Sequence, residues 1–223
     1  MPVISAAVCP HPPLLVPEIA TGAAADLDDL RAACLTALTP LAAADRLVVV
    51  GSGAPARYAA DAAGSLTPYG VPFQVGTGTP TLPLSLTIGA WLLNQSKAAD
   101  VPRSYYAVAP DETPANCLAL GKQLADSSDR VALLIMGDGS ARRSEHSPVH
   151  LHPRAELFDS TVAAALQLAD TATLAALDPD LATELHAAGR APWQVLAATS
   201  GLTGNLLYHA APYGVGYLVA SWT

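Results

Sequence analysis

The chain has 223 residues, of which 51% are hydrophobic and 13% charged, and a formal net charge of −8. This length and apolar content exclude a disordered protein and predict one α/β domain over residues 1–223. The acidity and the 5% of aromatic residues argue against nucleic acid or an anionic membrane as a partner.

Apolar runs and helical spacing alternate along the chain. The apolar runs predict strands over 3–8, 46–51, 104–109, 130–136 and 214–222. Apolar spacing and capping residues predict helices over 24–38, 113–127, 153–170, 178–189 and 192–202. The stretch 71–85, rich in Gly, Pro and Thr, predicts a long surface loop. We therefore expect one layered domain with a mostly parallel or mixed central sheet and helices on both faces.

Targeting signals and cysteine usage bear on the cellular compartment. No apolar run reaches about 18 residues, and the N-terminus lacks the basic region of a signal peptide. The three cysteines, Cys9, Cys34 and Cys117, form no CxxC motif, which is typical of free thiols in a reducing compartment. A cytoplasmic protein is the expectation.

A ligand site in such a sheet is expected beyond the carboxyl ends of its strands. Three stretches stand there: 9–18, 51–56 and 137–152. In the first, "AVCPHPPLLVPEI" places His11 among prolines, which stiffen the backbone and remove amide donors. Either this histidine is a presented ligand, or the stretch is only a rigid turn.

The second stretch, "GSGAPA" over 51–56, matches the G-x-G-x-x-A dinucleotide pattern weakly. Its glycines would let a pyrophosphate approach a helix N-terminus. However, no acidic residue ends the next strand-like run to hold a ribose. A tight turn after the strand is the alternative interpretation.

The third stretch begins "MGDGSARR" and follows a buried strand. Asp138 and Ser140 stand in its turn as candidate catalytic groups. Arg142 and Arg143 are candidate substrate-binding residues because guanidinium groups hold carboxylates.

Three histidines close this third stretch in "EHSPVHLHP". His146 and His150 are candidate catalytic groups. His150 and His152 would share one face of an extended chain, a spacing that metal sites use. A solvated polar loop is the alternative. His209 is a weaker candidate for the same cleft.

Together these segments resemble the catalytic chain of the class III extradiol ring-cleavage dioxygenases, whose fold Memo-type proteins share. The resemblance rests on "CPHPPLLVPE", "LVVVGSG", "LLIMGDGSARRSEHSPVHLHPRAELFD" and "PYGVGYLVASW", in this order over nearly the whole chain. It implies a cleft at the strand ends with Fe(II) bound by two histidines and one glutamate. It also implies an acid–base histidine, a small aromatic or oxygenated substrate, and homo-oligomers.

The chain departs from this family at most of the functional positions. His11 matches the first iron-binding histidine. The second histidine is replaced near Ala54, the acid–base histidine by Ala141, and the glutamate position falls near Arg190. A single imidazole does not hold Fe(II) tightly, and an arginine would repel a divalent cation.

Two functional interpretations follow from this loss. The first is a metal-dependent oxidoreductase in which Asp138, His146 or His150 supplies relocated ligands for Fe(II) or another divalent metal beside His11. The second is a non-catalytic protein that binds a small anion, through Arg190 or the 142–143 pair, or binds a protein partner. A nucleotide-binding oxidoreductase using residues 51–56 is a third interpretation.

Overall fold

A seven-stranded mixed sheet forms the centre of the protein in the computed structural model, which describes residues 3–126 and 129–223. The strands are β1 (Val3–Cys9), β2 (Arg46–Ser52), β3 (Ala56–Tyr58), β4 (Gly64–Ser65), β5 (Gln74–Val75), β6 (Arg103–Val108), β7 (Val131–Met136), β8 (Gly204–Ala210) and β9 (Tyr217–Trp222). The large sheet has the order β3-β6-β2-β7-β1-β9-β8, while β4 and β5 pair separately.

The four central strands β6, β2, β7 and β1 are parallel, and β3, β9 and β8 add antiparallel edges. The apolar run "LVVV" from residue 47, which contains three β-branched valines, is fully buried, as expected for a strand covered on both faces. Because the central strands are parallel, their carboxyl ends meet at one edge of the sheet, and the loops after β1, β2, β6 and β7 lie there.

Helices cover both faces of this sheet. They are α1 (Pro17–Ala20), α2 (Asp28–Leu38), α3 (Leu84–Asn94), α4 (Pro114–Ala125), α5 (Ala155–Leu168), α6 (Thr171–Ala175), α7 (Pro179–Glu184) and α8 (Arg190–Leu196). α2 and α3 pack on one face, and α4, α5 and α8 pack on the other. The expected α/β layered fold is confirmed. Among the described residues, no helix has the length and hydropathy needed to cross a membrane.

Several predicted bounds differ from the structure. The predicted helix 24–38 begins as a 3₁₀ helix and becomes α2 only at Asp28, and the helix predicted from 192 starts at Arg190. The helix predicted over 178–189 ends at Glu184. Residue 127, the last of the helix predicted over 113–127, lies outside the described residues. α3 and β8 were not predicted.

Candidate functional site

His11 and Asp138 lie together where the parallel neighbours β1 and β7 end. The backbone N–H of His11 donates to Oδ1 of Asp138 at 2.7 Å, and the imidazole Nδ1 lies 3.7 Å from the same oxygen. The imidazole is buried, and its Nδ1 has no hydrogen-bond partner among the described residues. This edge therefore offers an imidazole and a carboxylate side by side, groups that can hold a cation or move a proton.

Fe(II) in a site of two histidines and one carboxylate would need one more ligand beside His11 and Asp138. Within residues 3–126 and 129–223, no three His, Cys, Asp or Glu side chains lie close enough together to hold a metal ion. Ala54 and Ala141, which stand where the resembling family has histidines, offer no side-chain donor. The described residues therefore do not fit a three-ligand iron centre, whether at the family positions or around a relocated set.

The segment between α7 and α8 crosses this edge of the sheet. Ser52, at the end of β2, donates its hydroxyl to the carbonyl of Ala188. The N–H of Gly189 donates to the carbonyl of Asp138 at 2.8 Å. A Cβ added to Gly137 would collide with the Cα of Gly189, and a Cβ added to Gly189 would collide with the indole ring of Trp193, so glycine is needed at both positions. Protein backbone thus covers the ends of β2 and β7.

Arg190 begins α8 and is only 1% exposed. Its guanidinium donates to the carbonyls of Pro110 and Glu112, in the loop between β6 and α4, and to Oε1 of Gln194 at 2.9 Å. These bonds give the buried guanidinium three oxygen acceptors. The structure therefore places the guanidinium inside the fold, and its role in binding a substrate stays a prediction.

Ser140 and Arg143 meet at a carboxylate that the sequence did not single out. Asp159, on the inner side of α5, is 0% exposed. Its carboxylate accepts the Ser140 N–H at 2.8 Å and the Arg143 guanidinium at 2.9 Å. Burial raises the pKa of Asp159, although both donors act in the opposite direction. The Ser140 hydroxyl is also engaged, since it donates to the carbonyl of Leu185 at 3.1 Å.

The remaining loop residues lie nearer the surface. Arg142 donates to the carbonyls of His150 and Glu184, at 2.7 and 2.9 Å. The side chain of His150 is 81% exposed, and His146 is exposed as well. The side chain of His152 is instead mostly buried, and its Nε2 lies 2.8 Å from the Glu184 carboxylate. The structure thus spreads this histidine trio along the loop instead of assembling it.

His209, on β8, lies in the electrostatic field of Arg143, Asp159 and Glu156. Its Nε2 is buried and has no hydrogen-bond partner among the described residues. Burial, and then the positive charge of Arg143, lower the pKa of His209, and the two carboxylates offset this only in part.

We predict that the lowered pKa of His209 makes the free energy of unfolding decrease as the pH is lowered. The unfolded chain binds a proton on His209 near pH 6.5, before the folded chain does, so protonation favours unfolding. The contribution of His209 is fully present above about pH 6.5 and is lost as the pH falls through its folded-state value. Urea titrations across this range should show a difference between wild type and His209→Asn that changes with pH. A constant difference would contradict the prediction.

A cavity of about 300 Å³ lies at the same edge, where β6 ends. Its lining residues are Pro110, Ala182, Thr183, His186, Ala187 and Ala188. The walls are mostly apolar, and the Thr183 hydroxyl and the His186 imidazole are the polar side-chain groups among them. The backbone of His186 is left-handed, with φ of 53°, because it closes the end of α7. Such a cavity suits a small molecule with one or two polar groups.

The glycines of "GSGAPA" have a packing role. A Cβ on Gly51 would meet Ser85, and one on Gly53 would meet Pro83 at 2.9 Å, so the pair allows α3 and its preceding proline to approach β2. The strand β3 follows these glycines, and a dinucleotide site would need a helix N-terminus there. The structure thus lacks the context that the nucleotide-binding interpretation requires.

One feature of this site that sequence reasoning missed, the buried carboxylate of Asp159, left a weak signal in the sequence. Asp159 falls among Ala155, Phe158 and Val162 on the apolar face of its helix, where a carboxylate is expected to be buried and paired. The crossing segment around Ala188 left no such signal, because its contacts are made by backbone atoms.

No protein-family model matches this chain, and no curated protein matches it. Among solved structures, the uncharacterized protein JW3007 from Escherichia coli K12 is similar in fold. It is 15% identical in sequence, the match covers 98% of each chain, and the TM-score is 0.53. At this level of identity the likeness shows the fold alone. The two proteins therefore share an α/β architecture over essentially their full lengths.

Proposed function

We propose that this chain is a non-catalytic relative of the class III extradiol dioxygenases that binds a small uncharged molecule without Fe(II). The observation that carries the proposal is the donor set at the carboxyl edge. Among the described residues, no third His, Cys, Asp or Glu side chain lies close enough to His11 and Asp138 to complete a metal site with them. Iron-dependent ring opening needs that third ligand and open coordination positions for substrate and oxygen.

The arginines support an uncharged ligand over an anion. Arg143 is held by the buried carboxylate of Asp159, while Arg142 and Arg190 donate to backbone carbonyls. An anion would have to take these donors away from partners inside the protein, which costs their hydrogen bonds. The cavity beside Ala188 has no arginine or lysine in its lining. It is therefore the better ligand site at this edge.

A ligand in this cavity would lie between apolar walls, with its polar groups near Thr183 and His186. Catechol is a suitable probe because it is small, uncharged at neutral pH and also the substrate type of the resembling family. We expect it to bind with a Kd of about 1 mM, a value within the affinity that so few atoms provide. Nuclear magnetic resonance titration of tag-free protein measures this binding.

The variant Ala188→Leu should abolish catechol binding, because its longer side chain fills the cavity. Ala60→Leu is the matched control, since Ala60 is exposed and outside the cavity lining. His11→Ala should leave binding unchanged. Catechol binding that is lost in His11→Ala and kept in Ala188→Leu would contradict the proposed site.

A metal-dependent enzyme is the second candidate. The observation that favours it is Nδ1 of His11, which lies next to Asp138 and has no hydrogen-bond partner in the described part of the chain. Elemental analysis after incubation with Fe(II), Zn(II) or Mn(II) distinguishes the two candidates. The non-catalytic proposal predicts no bound metal beyond that of the His11→Ala variant. One equivalent of metal that disappears in His11→Ala, or oxygen-dependent ring opening of catechol, would establish the second candidate instead.

A further inference from the structure

The carboxyl end of α7 carries the two polar side chains of the cavity beside Ala188. Thr183 and His186 line that cavity, and Glu184, which follows Thr183, is the last residue of α7. The chain then turns through His186, whose left-handed backbone, with φ of 53°, is uncommon for a residue other than glycine. This end of the helix therefore depends on contacts from outside it to keep its shape.

Glu184 receives three such contacts from the segment between β7 and α5. His152 places Nε2 2.8 Å from Oε1 of the Glu184 carboxylate, and the Arg154 guanidinium donates to the other carboxylate oxygen. The Arg142 guanidinium donates to the Glu184 carbonyl at 2.9 Å. These three contacts, which we call the Glu184 clamp, hold both the side chain and the backbone of one residue at the end of α7.

The imidazole of His152 uses both of its nitrogens in this region. Nδ1 accepts the N–H of Arg154 at 3.2 Å, so the hydrogen-bond pattern assigns the proton of the neutral ring to Nε2, which donates it to Glu184. The side chains of His152 and Glu184 are 15% and 43% exposed, so water competes only in part for this hydrogen bond. His152 therefore joins the start of α5 to the end of α7.

We propose that Glu184 is a positioning residue for this cavity, held by His152 and Arg154 so that Thr183 and His186 keep their places in its wall. Glu184 does not line the cavity, so it acts through its neighbours. A binding site keeps its geometry only when the residues behind its lining are themselves held. The effect of the Glu184 clamp on binding rests on the function proposed above, whereas its hold on the wall can be measured without a ligand.

Amide hydrogen exchange of the ligand-free protein is the first test. The amides of His186 and Ala187 donate to carbonyls of α7, and in Glu184→Ala they should exchange at least about tenfold faster than in wild type. Asp180→Ala is the matched control, since it removes an exposed carboxylate from the other end of α7. Circular dichroism confirms that each variant is folded. Unchanged exchange in Glu184→Ala overturns the proposal.

Catechol titration by nuclear magnetic resonance is the second test. Glu184→Ala should weaken catechol binding at least about fivefold, and Asp180→Ala should leave it unchanged. Faster exchange in Glu184→Ala without weaker catechol binding overturns the positioning role. A wild type that does not bind catechol refutes the function proposed above, and the hold of the Glu184 clamp on the wall then stands or falls with the exchange result alone.

Two substitutions of His152 separate the positioning of Glu184 from a structural role at the start of α5. In His152→Gln the amide nitrogen stands as many bonds from Cα as Nε2, so it can donate to Glu184, and exchange and binding should stay close to wild type. In His152→Asn the side-chain oxygen can replace Nδ1 as the acceptor of the Arg154 N–H, but the donor to Glu184 is lost. This variant should show a smaller change of the kind seen in Glu184→Ala, because Arg154 still donates to the carboxylate. The reverse order, with His152→Asn close to wild type and His152→Gln impaired, overturns the proposal.

Discussion

Replacing Arg143 with methionine is expected to lower the free energy of unfolding by about 3 to 5 kcal/mol. The substitution removes the cation that faces Asp159 and leaves a buried carboxylate whose one remaining donor among the described residues is the Ser140 N–H. An uncompensated buried charge is among the most destabilising changes that one substitution can make. Urea denaturation at neutral pH, followed by circular dichroism, measures the loss.

Two comparisons show whether the buried charge is the cause. The double variant Arg143→Met/Asp159→Asn should recover much of the loss, because a neutral amide still accepts the Ser140 N–H. Arg130→Met removes the cation of a pair with Asp45 whose two side chains are half-exposed, and its effect should be close to experimental error. The deficit of Arg143→Met should also shrink as the pH falls, since burial raises the pKa of Asp159 and protonation removes the charge. A deficit independent of pH would contradict this account.

Replacing Arg190 with methionine is expected to cost about 3 kcal/mol of unfolding free energy, because three oxygens lose their donor and one of them belongs to the buried Gln194. The carbonyls of Pro110 and Glu112 and the side-chain oxygen of Gln194 are the groups affected. Arg190→Lys should recover only part of the loss, since one ammonium group cannot reproduce the fork of a guanidinium. Thermal and urea unfolding measure both variants.

Arg142→Met is the matched control for this prediction. Arg142 also donates to two backbone carbonyls, but it lies near the surface, where water can replace its hydrogen bonds. Its loss should cost at most about 1 kcal/mol. Equal effects of the Arg142 and Arg190 substitutions would show that burial of the Arg190 guanidinium is not what makes its hydrogen bonds important.

The elements predicted correctly are those with a strong local pattern. β2 and β7 are buried on both faces, so their sequences are continuous apolar runs instead of an alternation of apolar and polar residues. Such runs are easily recognised in a sequence. By contrast, α3 has no polar face to reveal its helical period, because every residue from Ser85 to Leu93 is buried. β8 is a half-buried edge strand with an irregular register, and its pattern is correspondingly weak.

The candidate site was predictable in location but only partly in its contacts. The rule that ligands collect at the carboxyl ends of parallel strands brings the loops of His11 and Asp138 together, and these two residues do meet. The partners of Arg143 and Arg190 lie on α5 and on the loop before α4. Pairings of this kind depend on how helices pack across the sheet, which a local sequence pattern does not encode.

The carbonyl contacts of Arg190 also bear on how this protein could change over evolution. A glutamate at this position, the residue type of the resembling family, would turn a carboxylate toward the carbonyl oxygens of Pro110 and Glu112. Oxygen would face oxygen in a buried setting, with no donor between them. The backbone between β6 and α4 would have to change before a carboxylate became tolerable. A glutamate introduced here by a single substitution is therefore disfavoured, so a metal site of the resembling family's type would require changes elsewhere in the fold first.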